Sequence, residues 1–154
     1  MKLFKRYKSS GLTIVELLIA IAIIGILAGI AIPLYAGYAE NARVQSAMAD
    51  IRSISLVIEG FRNDRSSLPT SLTDINYAAF LDPWGNPYQF LRIPATGGCG
   101  QCRKDRFVVP INTDYDLYSM GKDGQSVAPL TAQKSRDDII RANDGAYIGP
   151  AAGY

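Results

Sequence analysis

The chain has 154 residues, with 16 Lys and Arg against 14 Asp and Glu and no His. The missing imidazole removes the commonest general base and transition-metal ligand. Two cysteines exclude four-thiolate zinc within one chain, so an enzyme is not expected. Four of the basic residues, Lys2, Lys5, Arg6 and Lys8, stand near the start with no acid among them. Taking those four from the 16 leaves 12 basic residues against 14 acidic ones, so no basic patch for nucleic acid remains.

Residues 1–11 read as a basic leader and residues 12–39 as a membrane-spanning helix. The run from Leu17 to Ala39 carries no charge, and its 23 residues suffice to cross a hydrocarbon core of about 30 Å at about 1.5 Å per residue. A secretory signal would carry a shorter apolar stretch with a small-residue cleavage site behind it. Glu16 does not fit a plain anchor: it sits at the leading edge of the run among Ile14, Val15, Leu17 and Leu18. An ionised side chain there costs a few kcal/mol without a partner, and the sequence shows none for it within the chain. Pro33 predicts a bend or loosening around Gly29–Pro33. Gly25 and Gly29 form a G-x-x-x-G pair that permits close helix approach.

Residues 40–63 continue the helix with one polar face. Val44, Met48, Ile51, Ile54, Ile58 and Phe61 recur at spacings of three and four, the period of a helix packed on one side. One helix is therefore expected from Thr13 to near Arg62, and residues 64–154 form a globular end. There Ser66-Ser67-Leu68-Pro69 breaks the helix, and Ser71-Leu72-Thr73-Asp74 opens a short turn. Asp82-Pro83-Trp84-Gly85-Asn86-Pro87-Tyr88 is a turn bracketed by prolines. Strands are expected at Tyr88–Ile93, Phe107–Ile111 and Tyr115–Ser119. The expected fold is α+β: a long N-terminal helix whose second half packs on a small antiparallel sheet of about three strands.

Cys99-Gly100-Gln101-Cys102 follows a Gly-rich stretch expected to be a hairpin tip. In an exported domain the compartment favours a disulfide. A redox-active pair would need a helix N-terminus to lower a thiol pKa, and zinc would need two further ligands from another chain. Free thiols are the remaining alternative. No phosphate-binding loop is present, so any work of assembly must be supplied by another protein.

The leader ending in Gly11, the Glu16 five residues into the chain beyond it, and the uninterrupted apolar helix resemble the type IV pilins and type II secretion pseudopilins. The resemblance implies cleavage between Gly11 and Leu12 by a prepilin peptidase, with N-methylation of Leu12. It also implies an assembly role for Glu16, paired with the Leu12 ammonium of a neighbouring subunit, and for Pro33. Leu12 departs from the usual Phe. Asp82–Tyr88, then Asp116-Leu117-Tyr118-Ser119-Met120-Gly121 with Asp123-Gly124, then Asp138-Ile139, look like the major pseudopilin. That likeness implies a calcium ion held by the Met120 carbonyl, Asp123 and Asp138, with Asp137 as a rival for Asp138. Without the ion the intervening loop is expected to be mobile. The longer connection Gln125–Arg136 and the longer tail depart from that pattern and favour a type IV pilin as the second reading.

The implied function is a structural subunit of a helical pilus or pseudopilus for type II protein secretion. The alternatives are a major or minor type IV pilin and, further off, a membrane-tethered C-x-x-C oxidoreductase. The implied partners are identical or homologous subunits, the prepilin peptidase, an inner-membrane assembly platform and the membrane itself. The globular end would lie in the periplasm.

Overall fold

The computed structural model describes residues 11–95 and 99–154. It divides into two compact units, one ending at Ala39 and the other running from Glu40 to Tyr154. The leader, apart from Gly11, and part of the Gly-rich stretch lie outside the described residues.

A single helix, α1, runs Ile14–Arg65. It starts one residue after the expected position and ends three beyond it. In the first unit its large apolar residues, Ile19, Ile24, Leu27 and Leu34 among them, are all exposed. The helix continues through Pro33 without a break. The loss at that point is one bond, since Pro33 has no N–H to give to the carbonyl of Gly29, four residues earlier.

Of the stripe read from the sequence, Ile51, Ile54 and Ile58 are fully buried while Val44, Met48 and Phe61 are partly buried. Ala47, which the stripe did not include, is fully buried with them, and all pack with Leu72, Tyr88, Tyr115, Leu117 and Ile139. The sheet has four strands rather than three: β1 Gln89–Arg92, β2 Tyr115–Ser119, β3 Ile139–Ala142 and β4 Tyr147–Pro150, in that order and all antiparallel. β1 pairs directly with β2, Gln89 opposite Tyr118 and Arg92 opposite Tyr115.

The strand expected at Phe107–Ile111 is not formed. Phe107 is 92% exposed and Val109 63%, and only Ile111 turns inward. Pro110 cannot donate to a ladder, and the backbone of Ile111 bonds instead to Arg103 and Asn143. β3 and β4 take the place of that strand. They are short, and every residue of β3, Arg141 included, is buried, so no apolar–polar alternation marked it.

Both faces of the sheet are covered. Tyr115, Leu117 and Ile139 face α1. Ile140 and Ala142 face the other way, against Ile111, Leu130 and Ala151. That outer layer consists of loops. Leu130 N–H donates to the Lys104 carbonyl at 2.9 Å, Lys104 N–H to Ala128 at 3.1 Å, and Ile111 N–H to Arg103 at 3.0 Å. The residues after the C-x-x-C motif are thus fixed between two other segments.

Candidate functional site

The start of α1 is a local device. Thr13 precedes the first helical residue. Its N–H and its hydroxyl both donate to Glu16 Oε2 at 2.8 Å, while Glu16 N–H donates to Thr13 Oγ1 at 3.2 Å. This is the reciprocal T-x-x-E capping box, which satisfies helix donors that otherwise lack partners. The sequence reading that left Glu16 without a partner in its own chain is corrected here. The signal was legible in Thr13-Ile14-Val15-Glu16 and was masked by the apolar residues between. Both bonds fall on Oε2, so Oε1 is open to a cation from outside. Leu12 is exposed, and among the described residues nothing lies within 4 Å of a Cβ added at Gly11. The Gly11–Leu12 bond therefore lies in accessible, non-helical backbone one residue ahead of the cap.

The Asp82–Tyr88 segment ties the sheet to the helix. Asp82 Oδ1 accepts from the backbone N–H of Trp84 at 3.0 Å and of Asn86 at 2.8 Å, and Ser119 Oγ donates to Asp82 Oδ2 at 2.5 Å. Trp84 Nε1 donates to Glu40 at 3.0 Å and the Tyr88 hydroxyl to Asp50 at 2.8 Å. Asn86 Nδ2 donates to the Gly121 carbonyl at 2.9 Å. The block thus fastens the Met120–Gly124 turn from one side. Gly121 has φ +65°, and an added Cβ would lie 2.3 Å from the Asp137 carbonyl oxygen.

Each carboxylate assigned to calcium accepts a hydrogen bond from the protein. Asp123 Oδ1 accepts from Gln125 N–H at 2.7 Å, and Asp137 Oδ2 accepts from Asp123 N–H at 3.0 Å. Asp138 is fully buried. Its Oδ2 accepts from Ser126 Oγ at 2.6 Å and from Arg103 Nη2. Burial pushes the Asp138 carboxyl up to about 6, against the opposing pull of Ser126 and Arg103. Among the described residues, no three side chains of Asp, Glu or Cys gather as a cation site. The loop from Gln125 to Arg136 carries bonds of its own. Ser135 Oγ accepts from Val127 N–H at 3.0 Å and donates to the Val127 carbonyl at 2.8 Å.

Cys99 and Cys102 form a disulfide with their Cα atoms 5.3 Å apart, and Cys102 is fully buried. Arg103 follows at once and escaped the sequence reading, since an arginine beside a lysine reads as solvated.

The family model for the prokaryotic N-terminal methylation motif matches residues 6–32. That span contains Gly11, Leu12 and Glu16. The type II secretion system core protein G of Pseudomonas aeruginosa is 28% identical over 142 residues, covering 79% of this chain and 89% of its own. That of Aeromonas hydrophila is 29% identical over 143 residues, covering 79% and 89%. The core protein G of Escherichia coli is 27% identical over 139 residues, covering 77% and 85%.

Along most of its length this chain is similar to the type II secretion pseudopilins.

The likeness extends well beyond the leader and helix into the sheet unit. No solved structure matches the chain. The first half of α1 is exposed along its apolar length, and the sheet unit holds the second half of α1 by the Trp84–Glu40 and Tyr88–Asp50 bonds.

Proposed function

We propose that this chain is a structural subunit of a helical pseudopilus for type II secretion, inserted first in the inner membrane with its sheet unit in the periplasm. The observation that carries the reading is the first half of α1. It is apolar enough to cross a membrane, yet none of that window is buried. Such a surface needs lipid or other helices against it. A bilayer meets that need before assembly, and the equivalent helices of identical or homologous subunits meet it afterwards.

The remaining parts have roles consistent with that cycle. A prepilin peptidase cuts at the accessible Gly11–Leu12 bond and methylates Leu12. The new ammonium of one subunit meets Glu16 of the next, in a core where an unpaired carboxylate costs several kcal/mol. An inner-membrane assembly platform moves the subunit from bilayer to fibre.

Single cysteines at Ile19 and Leu27, introduced into the full chain and expressed with a secretion machinery, test the reading. Oxidation should give a ladder of covalent multimers, and deletion of the gene should abolish export of secreted proteins. Monomers alone, with export intact, would sink the proposal. A ladder with surface fibres and unaffected export would assign the chain to a type IV pilus instead.

A further inference from the structure

Calcium is the ion that the family resemblance places at the Asp123–Asp138 loop, and the donor set here does not fit it. Calcium takes six to eight oxygens. Of the expected carboxylates, Asp123 and Asp137 each accept a backbone N–H, and Asp138 accepts from Ser126 and Arg103. A cation already stands at Asp138. The Arg103 side chain is 2% exposed, its Nη1 donates to Ser126 Oγ at 2.5 Å and to the Val127 carbonyl at 2.6 Å, and its guanidinium carbon lies 4.3 Å from the centre of the Tyr118 ring.

We propose that Arg103 is the resident cation of the 124–138 loop, doing by hydrogen bonds what a metal ion would do by coordination, and that the Cys99–Cys102 disulfide holds it in place.

Two unpartnered atoms favour the guanidinium over a metal. Arg103 Nε and Asp138 Oδ1 are both buried without a hydrogen bond. One is a donor and the other an acceptor on the two members of the same ion pair. A fork in which Nε faces Oδ1 and Nη2 faces Oδ2 satisfies both, and such a fork is the geometry arginine prefers with a carboxylate. A calcium ion would satisfy only the oxygen, and it would sit beside a buried guanidinium of like charge.

The disulfide enters through the backbone. Cys102 is fully buried next to Arg103, and Arg103 N–H donates to Asp116 Oδ2 at 2.6 Å. The bridge closes a short loop immediately before the arginine. It restricts the approach of that segment to the sheet and so limits the directions in which the guanidinium can point. The C-x-x-C motif thereby gains a structural task that does not involve thiol exchange.

Thermal unfolding of the full chain in detergent tests the proposal. It reads a single chain, so its outcome is independent of whether fibres form. With the wild type, calcium chloride and a chelator should give the same midpoint. Arg103→Met should lower the midpoint by roughly 10 °C or more, because it strands a buried carboxylate. The double variant Arg103→Met/Asp138→Asn should recover part of that loss. Should Arg103→Met fail to fold, Arg103→Lys, which keeps the charge and loses the fork, should show a smaller loss and the same indifference to calcium. Reduction of the wild-type disulfide should expose residues 124–138 to protease. A rise in the wild-type midpoint with calcium chloride that Asp138→Asn abolishes would overturn the proposal. Unchanged protease resistance after complete reduction would overturn the part given to the disulfide.

Discussion

Arg103 and Asp138 lie 35 residues apart in sequence and close a buried ion pair on the outer face of the sheet, with the guanidinium over Tyr118. The inner face repeats the arrangement. Arg141 binds Asp114 through two bonds of 2.8 Å, and its guanidinium carbon lies 4.0 Å from the centre of the Tyr115 ring. A small sheet between a helix and a layer of loops has little room for a large apolar core. Each arginine fills volume with its stem and ring-facing plane while a carboxylate neutralises its head. Removing one partner of such a pair is more damaging than removing both.

The leader should be cut between Gly11 and Leu12. Mass spectrometry of membrane-extracted protein should find Leu12 as the first residue, carrying a methyl group on its nitrogen. An intact leader in cells with an active prepilin peptidase would contradict the family's processing for this chain.

Glu16 has an internal and an external task, and substitutions separate them. Thr13→Ala removes the hydroxyl side of the capping box, a change that costs about 0.5–2 kcal/mol of helix stability, and should leave assembly largely intact. Glu16→Ala should still be processed and inserted but should give few covalent multimers in the cysteine assay. Equal multimer yield from both variants would show that Glu16 serves only as a cap.

Gly121→Ala should destabilise the sheet unit by at least about 2 kcal/mol, since a positive φ and a backbone clash act together. The added Cβ would meet the Asp137 carbonyl at 2.3 Å, and backbone cannot move aside as a flexible side chain can. Chemical denaturation of the variant measures the loss. Gly60→Ala is the control, because nothing lies within 4 Å of its added Cβ.

Two neighbours on α1 should respond in opposite ways. Ile54 is fully buried and Leu56 is 73% exposed. Ile54→Ala should cost about 2–5 kcal/mol in the single chain, and Leu56→Ala should stay within about 0.5 kcal/mol. Denaturation midpoints of the two variants in detergent decide it. A large loss for Leu56→Ala would mean that the helix stripe is not the one described.

What the sequence by itself determined was whatever depends on local pattern. Leader, apolar run and Glu16 are contiguous, and the stripe from Val44 to Phe61 follows the helical period, so the long helix and its buried side were readable. The Asp82–Tyr88 turn was readable for the same reason: its prolines restrict φ and its glycine permits a positive φ wherever they stand. Tertiary structure decided what depends on distant partners. Phe107–Ile111 has the residue types of a strand, but its Ile111 backbone bonds to Arg103 and Asn143 rather than to a strand ladder. Ile139–Ala142 has no alternation because loops bury its second face as fully as the helix buries the first. Arg103 and Asp138 are an ordinary base and acid in the sequence. Their meeting depends on the outer loop layer, because there the two charges are desolvated together and obliged to pair.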